Sequence, residues 1–249
     1  MKSLLTFDNG PSFTTDRFHL LKVMNYNSPW SHPSIGTSDA KVRDKNSLMK
    51  ILPLMITFSI LATVARAQET TGPFGLHRGM TKEQVIQVVG KGAVKEMKTD
   101  ADTLRLNRVP KSHPAFEFYS LIFSSKDGLL KIVAYGNDIP TNAFGEAVHD
   151  SFIEIRDAIS QTYGQPEFTL DFVKAGSIWT DPQDWMMALL KKERELSAVW
   201  EKNLQSHLHG IVIEADALSQ EKGYLKLNYE FDGWDEYVDA QKKKAGTVF

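Results

Sequence analysis

Read for apolar and polar positions, the chain divides into a patterned part after Gly72 and a less regular part before it. Val85, Ile86, Val88 and Val89 give one apolar helical face between Thr81 and Gly90. Thr81 suits an N-cap, Gln84 three residues on completes a capping box, and Met80 is placed to staple onto Val85. Gly90 falls where a helix end favours glycine. Thr103–Val109 reads as a weak strand. Residues 116–123 and 129–135 flank Ser124–Gly128 and predict a β-hairpin. Phe144, Val148, Phe152, Ile155, Ile159 and Tyr163 recur at three and four residues and predict a longer helix. Thr141 or Asn142 would cap it, and Gly164 and Pro166 would end it. Phe168, Leu170 and Phe172 alternate as a strand.

Asp181, as N-cap, with Pro182 at the first helical position predicts a helix running from 181 to 204. Its buried stripe would be Trp185, Leu189, Leu196, Val199, Trp200 and Leu204, with Lys191–Glu195 solvated. Residues 211–218 and 224–231 predict a second hairpin. Leu225, Leu227, Tyr229 and Phe231 alternate with Lys226, Asn228 and Glu230, which implies one buried and one wet sheet face. Trp234, Tyr237, Val238 and Gln241 suggest a C-terminal helix, its last turn carrying Lys242–Lys244.

Upstream, Met49 opens a second start, with Lys50 as a positive n-region and Ile51–Val64 as an uncharged apolar run. Ala65-Arg66-Ala67 is a small-x-small cleavage site, so residues 49–67 read as a signal peptide and 68–249 as the exported domain. The run is shorter than the roughly 20 residues of a membrane span. Residues 1–48 show no sustained period and read as a disordered or mis-annotated extension.

Composition sharpens this in three ways. The net charge of −2 gives no electrostatic case for nucleic acid or anionic lipid. The absence of cysteine excludes disulfides, thiolate metal sites and a lipidated mature N-terminus. A hydrophobic content of 42% is enough for a packed core. The expectation is a periplasmic or secreted soluble product with no stable membrane span after cleavage.

The two predicted hairpins resemble each other: Ser125–Ile132 parallels Gln220–Leu227. Each follows a helix ending in an apolar residue plus glycine, at Val89-Gly90 and Tyr163-Gly164. The order is helix plus antiparallel strands, twice, in sub-units of about 74–138 and 139–249. The segment GLHRGMTKEQVIQVVG, followed by Phe123–Ile132, resembles the SmpA/OmlA superfamily of small exported proteins. That group includes the small lipoprotein of the outer-membrane β-barrel assembly machinery and shares a fold with β-lactamase inhibitory protein. The resemblance implies an α+β fold of tandem helix-plus-sheet units, here with the 181–204 helix inserted, and a non-enzymatic binding or accessory role.

Candidate chemistry is sparse. His207 and His209 form the only close histidine pair. On a strand both rings would share a face and could hold a metal, with His113 or His149 as third ligand only by elimination. No G-x-S-x-G elbow and no phosphate-cradling glycine loop occurs. Asp232, Asp235 and Glu236 cluster near Trp234, and Glu214 and Asp216 share a strand face. Tyr224, Tyr229 and Trp234 are the candidate binding surface. No cofactor is expected. The leading reading is an envelope binding protein for an unknown protein or small molecule; the alternative is a metal-dependent or acid/base hydrolase centred on His207 and His209.

Overall fold

The computed structural model describes residues 72–95 and 101–246. The chain divides into units Met1–Glu69 and Thr70–Phe249, and the described residues belong to the second. The extension at 1–48 and the signal segment at 49–67 lie outside the described residues.

Among the described residues, nine strands form one antiparallel sheet. Helix α1 (Lys82–Val89) precedes a meander of β1 (Val94–Lys95), β2 (Thr103–Leu106), β3 (Phe116–Ser124) and β4 (Gly128–Gly136). The short β5 (Ile139–Pro140) leads to α2 (Glu146–Tyr163). A second meander follows: β6 (Phe168–Val173), β7 (Arg194–Trp200), β8 (Leu208–Ser219) and β9 (Lys222–Phe231), with α3 (Trp185–Leu190) between β6 and β7. Helix α4 (Trp234–Gly246) ends the described chain. The sheet order is β1-β2-β3-β4-β9-β8-β7-β6, with β5 added beside β9. The two meanders therefore join through their last strands. The fold is α+β, and each half has the order helix then antiparallel strands.

Local signals explain several boundaries. Thr81 and Gln84 make the reciprocal capping box, with the Gln84 N–H donating to Thr81 Oγ1 at 3.2 Å and the Thr81 N–H donating to Gln84 Oε1 at 2.8 Å. Gly90 closes α1 with φ 81°. At the start of α2 the cap is split. The Ala147 N–H donates to Thr141 Oγ1 and the Glu146 N–H to Asn142 Oδ1. Phe144 lies before the helix and is exposed.

The helix predicted over 181–204 is not formed as one element. A 3-10 turn at Pro182–Asp184 and the six-residue α3 are followed by a left-handed Lys192 (φ 61°) and then strand β7. The apolar positions 196, 199 and 200 look helical because β7 buries consecutive residues, Leu196–Trp200, rather than alternate ones. Its partners β6 and β8 pair it on both sides. Long-range pairing overrides the local period here.

The main core lies between the sheet and α1–α3. Val85 and Val89 of α1 belong to the same core as Leu106, Leu121 and Phe123, as do Val148, Phe152, Ile155 and Ile159 of α2 and Trp185, Met186 and Leu189 of α3. Rows such as Leu121–Ile132–Tyr229–Ile211 supply the sheet side. Helix α4 packs on the opposite face, where Trp234 and Val238 meet Leu130, with Ile122 and Tyr237 at the margin. A β-bulge opposite Ile122 and Phe123 lets Leu130 and Lys131 both serve that face.

The expectation of a wet second face is corrected in part. Asn228 and Glu230 are buried, as are Val133, Val199 and Val212. Glu230 sits opposite Lys131 at 2.8 Å with both side chains at 0% exposure, and the Trp234 ring lies 4.6 Å from Lys131 Nζ.

The segments Gly75–Gly90 and Phe123–Ile132 touch. Gly79 N–H donates to Leu129 O, and Leu129 N–H donates to Met80 O. Gly128 has φ 68°, and a Cβ there would fall 2.4 Å from Gly79 O. Glycine is required at 128 by both conformation and contact.

Candidate functional site

The second face of the sheet gathers the polar and aromatic groups. Across β3, β4, β9 and β8 the register sets Phe118, Tyr135, Lys226 and Glu214 in one row. Phe118 and Tyr135 stack at 4.5 Å with an interplanar angle of 13°. Arg105 of β2 lies 3.8 Å above the Phe118 ring, giving a cation–ring–ring stack. Lys226 pairs with Glu214. One step along β8 and β9, the Tyr224 hydroxyl donates to Asp216 Oδ2 at 3.0 Å, and Lys192 pairs with the same carboxylate. Period-two alternation on paired strands is what puts residues 214, 216, 224 and 226 on one face.

The titration of this face moves away from neutrality. Burial pushes the Tyr224 phenol well above its ordinary value, and the Asp216 charge and hydrogen bond push it further. Burial also raises Tyr135, with the Lys226 charge opposing and Glu214 reinforcing. Burial alone would lower Lys226, but Glu214 more than offsets this and the net direction is upward. The tyrosines stay neutral hydroxyls and the lysine stays a cation through the physiological range.

The expected binding residues do not share a surface. Tyr224 is half-buried on this face. Tyr229 belongs to the opposite, core face at 7% exposure, where its ring meets Phe74 and Tyr163. Its place in the series Leu225, Leu227, Tyr229, Phe231 carried that signal. Trp234, the first residue of α4, is 3% exposed and packs with Leu130 and Val238. Phe118, Tyr135 and Arg105 were missed because their meeting depends on pairing between separate strands.

The histidines and the acids near Trp234 do come together, but in separate pairs. His207 Nδ1 lies 3.4 Å from Asp232, and His209 Nε2 lies 3.2 Å from Asp235. His207 has φ 60° and a bulge falls between Leu208 and Gly210, so the two rings are not presented as a simple i, i+2 pair. Arg78 Nε donates to Asp232 O at 2.7 Å, which ties the entry loop to this corner. Glu236 lies in the first turn of α4. His113 caps its own loop, accepting from the Ala115 N–H, and His149 packs on Trp185 with Asp171 at 3.7 Å. Among the described residues, no group of three or more His, Asp and Glu side chains is placed to hold a metal ion. Among the described residues, no helix is long and apolar enough to cross a membrane.

Comparison with protein-family models, with curated proteins and with solved structures finds no match.

Proposed function

We propose that this chain is an exported binding or accessory protein of the bacterial envelope, acting without catalysis through the α4-side face of its sheet. The observation that carries the reading is the Arg105–Phe118–Tyr135 stack beside the Lys226–Glu214 and Tyr224–Asp216–Lys192 clusters. Arginine and tyrosine are the residue types that anchor protein interfaces. The tyrosine hydroxyls are driven away from neutral titration, which suits recognition and runs against a proton-transfer role near neutrality. The segment Met49–Ala67 supports export, and the likeness to the SmpA/OmlA superfamily supports an accessory role.

The test is the N-terminal sequence and intact mass of the native protein from fractionated cells, with identification of what co-purifies. A chain beginning at Gln68 in the periplasm or medium is expected. A cytoplasmic chain beginning at Met1 would overturn the compartment. A partner retained in full by a triple variant, Arg105→Ala, Phe118→Ala and Tyr224→Ala, would overturn the face.

The second reading is a hydrolase at His207 and His209, favoured by their pairing with Asp232 and Asp235. It requires bound transition metal or a hydrolytic activity that His207→Ala and His209→Ala abolish. Metal below about 0.1 equivalent removes its metal version.

A further inference from the structure

We propose that strand β6 is a homodimerisation edge, pairing antiparallel with β6 of a second copy to continue the sheet across a two-fold axis. Among the described residues β6 has β7 on one side and no strand on the other. Edge strands are normally defended by brevity, proline, lysine or a bulge. Residues 168–173, Phe-Thr-Leu-Asp-Phe-Val, contain neither proline nor lysine, and the β6–β7 register is unbroken across all six. The single charge, Asp171, is held on the helix-covered face by Arg194 at 2.6 Å, with His149 at 3.7 Å. Phe172 remains 42% exposed.

The backbone fixes which groups are available. The Lys174 N–H donates to Glu193 O at 2.7 Å. In an antiparallel ladder the direction alternates, so residues 172, 170 and 168 turn their amides toward β7. Thr169, Asp171 and Val173 therefore turn theirs to the open edge. Side chains alternate with the same period: Phe168, Leu170 and Phe172 lie opposite Val199, Ser197 and Glu195 on the α4-side face, and Thr169 and Asp171 lie on the helix face.

The sequence of β6 then selects one register. A two-fold axis normal to the sheet keeps each face continuous, and a one-residue slip would exchange the faces. With Leu170 on the axis, Leu170 meets Leu170 of the second copy and Phe168 meets Phe172, an unbroken apolar strip. On the other face Thr169 meets Asp171, where a hydroxyl can donate to a carboxylate. The Thr169 and Asp171 amides and carbonyls complete the ladder. The neighbouring allowed registers break this apolar strip, one setting Phe168 opposite Lys174 and the other Phe172 opposite Pro166. The partner that fits this edge is thus a second copy of the same chain.

The absence of cysteine makes the test specific. The full chain is expected to show twice the mass of a single chain by light scattering at high concentration. Leu170→Cys is expected to oxidise to a covalent dimer. Phe172→Cys, whose neighbour across the axis is Phe168, is expected to stay uncrosslinked. Thr169→Pro removes only an outward N–H, so a monomer with an unchanged circular-dichroism spectrum is expected. Leu170→Lys, which puts two cations on the axis, is expected to give the same monomer and serves if the proline variant does not fold. A wild-type chain that stays monomeric up to millimolar concentration would overturn the proposal. So would Phe172→Cys cross-linking as readily as Leu170→Cys, or a folded Leu170→Lys that remains dimeric.

Discussion

Beneath α1–α3 the sheet meets helices through rows of aliphatic and aromatic side chains such as Leu121–Ile132–Tyr229–Ile211. On the other face the same strands carry Lys131–Glu230, Tyr224–Asp216 and Lys226–Glu214, with α4 held by a much smaller apolar cluster. The first face gains stability in proportion to buried apolar area. The second holds polar groups whose cost depends on partners staying in place. Deletion on the first face should cost what is removed plus the cavity left. Deletion on the second should depend on whether one partner or both are removed.

The largest effects test the first face. Phe152→Ala should destabilise by about 3–5 kcal/mol, read as a fall in denaturant midpoint with an unchanged slope. On the second face Lys131→Met should cost about as much, roughly 3–5 kcal/mol, because Glu230 would stay buried without this counter-charge. Among the described residues, Glu230 Oε2 already lacks a hydrogen-bond partner. Adding Glu230→Leu should recover most of that loss. A double variant as unstable as the single one would show that the faces do not differ in the way described.

Alkaline titration gives an intermediate effect. Tyr224 has a folded pKa above its ordinary value of 10.0, so above about pH 10 the unfolded chain releases a proton that the folded chain retains. Stability then falls as pH rises. Lys226, raised above 10.5, also contributes stability that is full below that value and lost above it. Tyr224→Phe should therefore flatten the alkaline loss, measured by unfolding midpoints from neutral to strongly alkaline pH; an unchanged slope would refute the assignment. The smallest effect belongs to the solvent-exposed pairs. His207→Gln and His209→Gln should each change stability by no more than about 1 kcal/mol.

What could be read from the sequence follows the range of the interaction. The α1 capping box, the α2 stripe and both hairpins are set within a few residues, and all were legible. The β7 strand was not, because its burial on consecutive positions comes from β6 and β8 and imitates a helical stripe over 196–200. The buried Lys131–Glu230 pair joins residues 99 apart in sequence, and no local pattern announces it. The His207 and His209 neighbourhood was half legible. Both histidines and the acids near Trp234 were singled out, but the left-handed turn and bulge that send each ring to a different aspartate were not.

The joining of the two meanders through β4 and β9 also has a kinetic meaning. Hairpins β3–β4 and β8–β9 close short loops, whereas β4 finds β9 only across the whole second half of the chain. Local pairings of this kind form fast and distant ones slowly. Closure of the central seam should thus be the late step in folding. A chain cut between β5 and α2 would leave two pieces whose exposed inner strands are each other's complement, a natural pair for reassembly in trans.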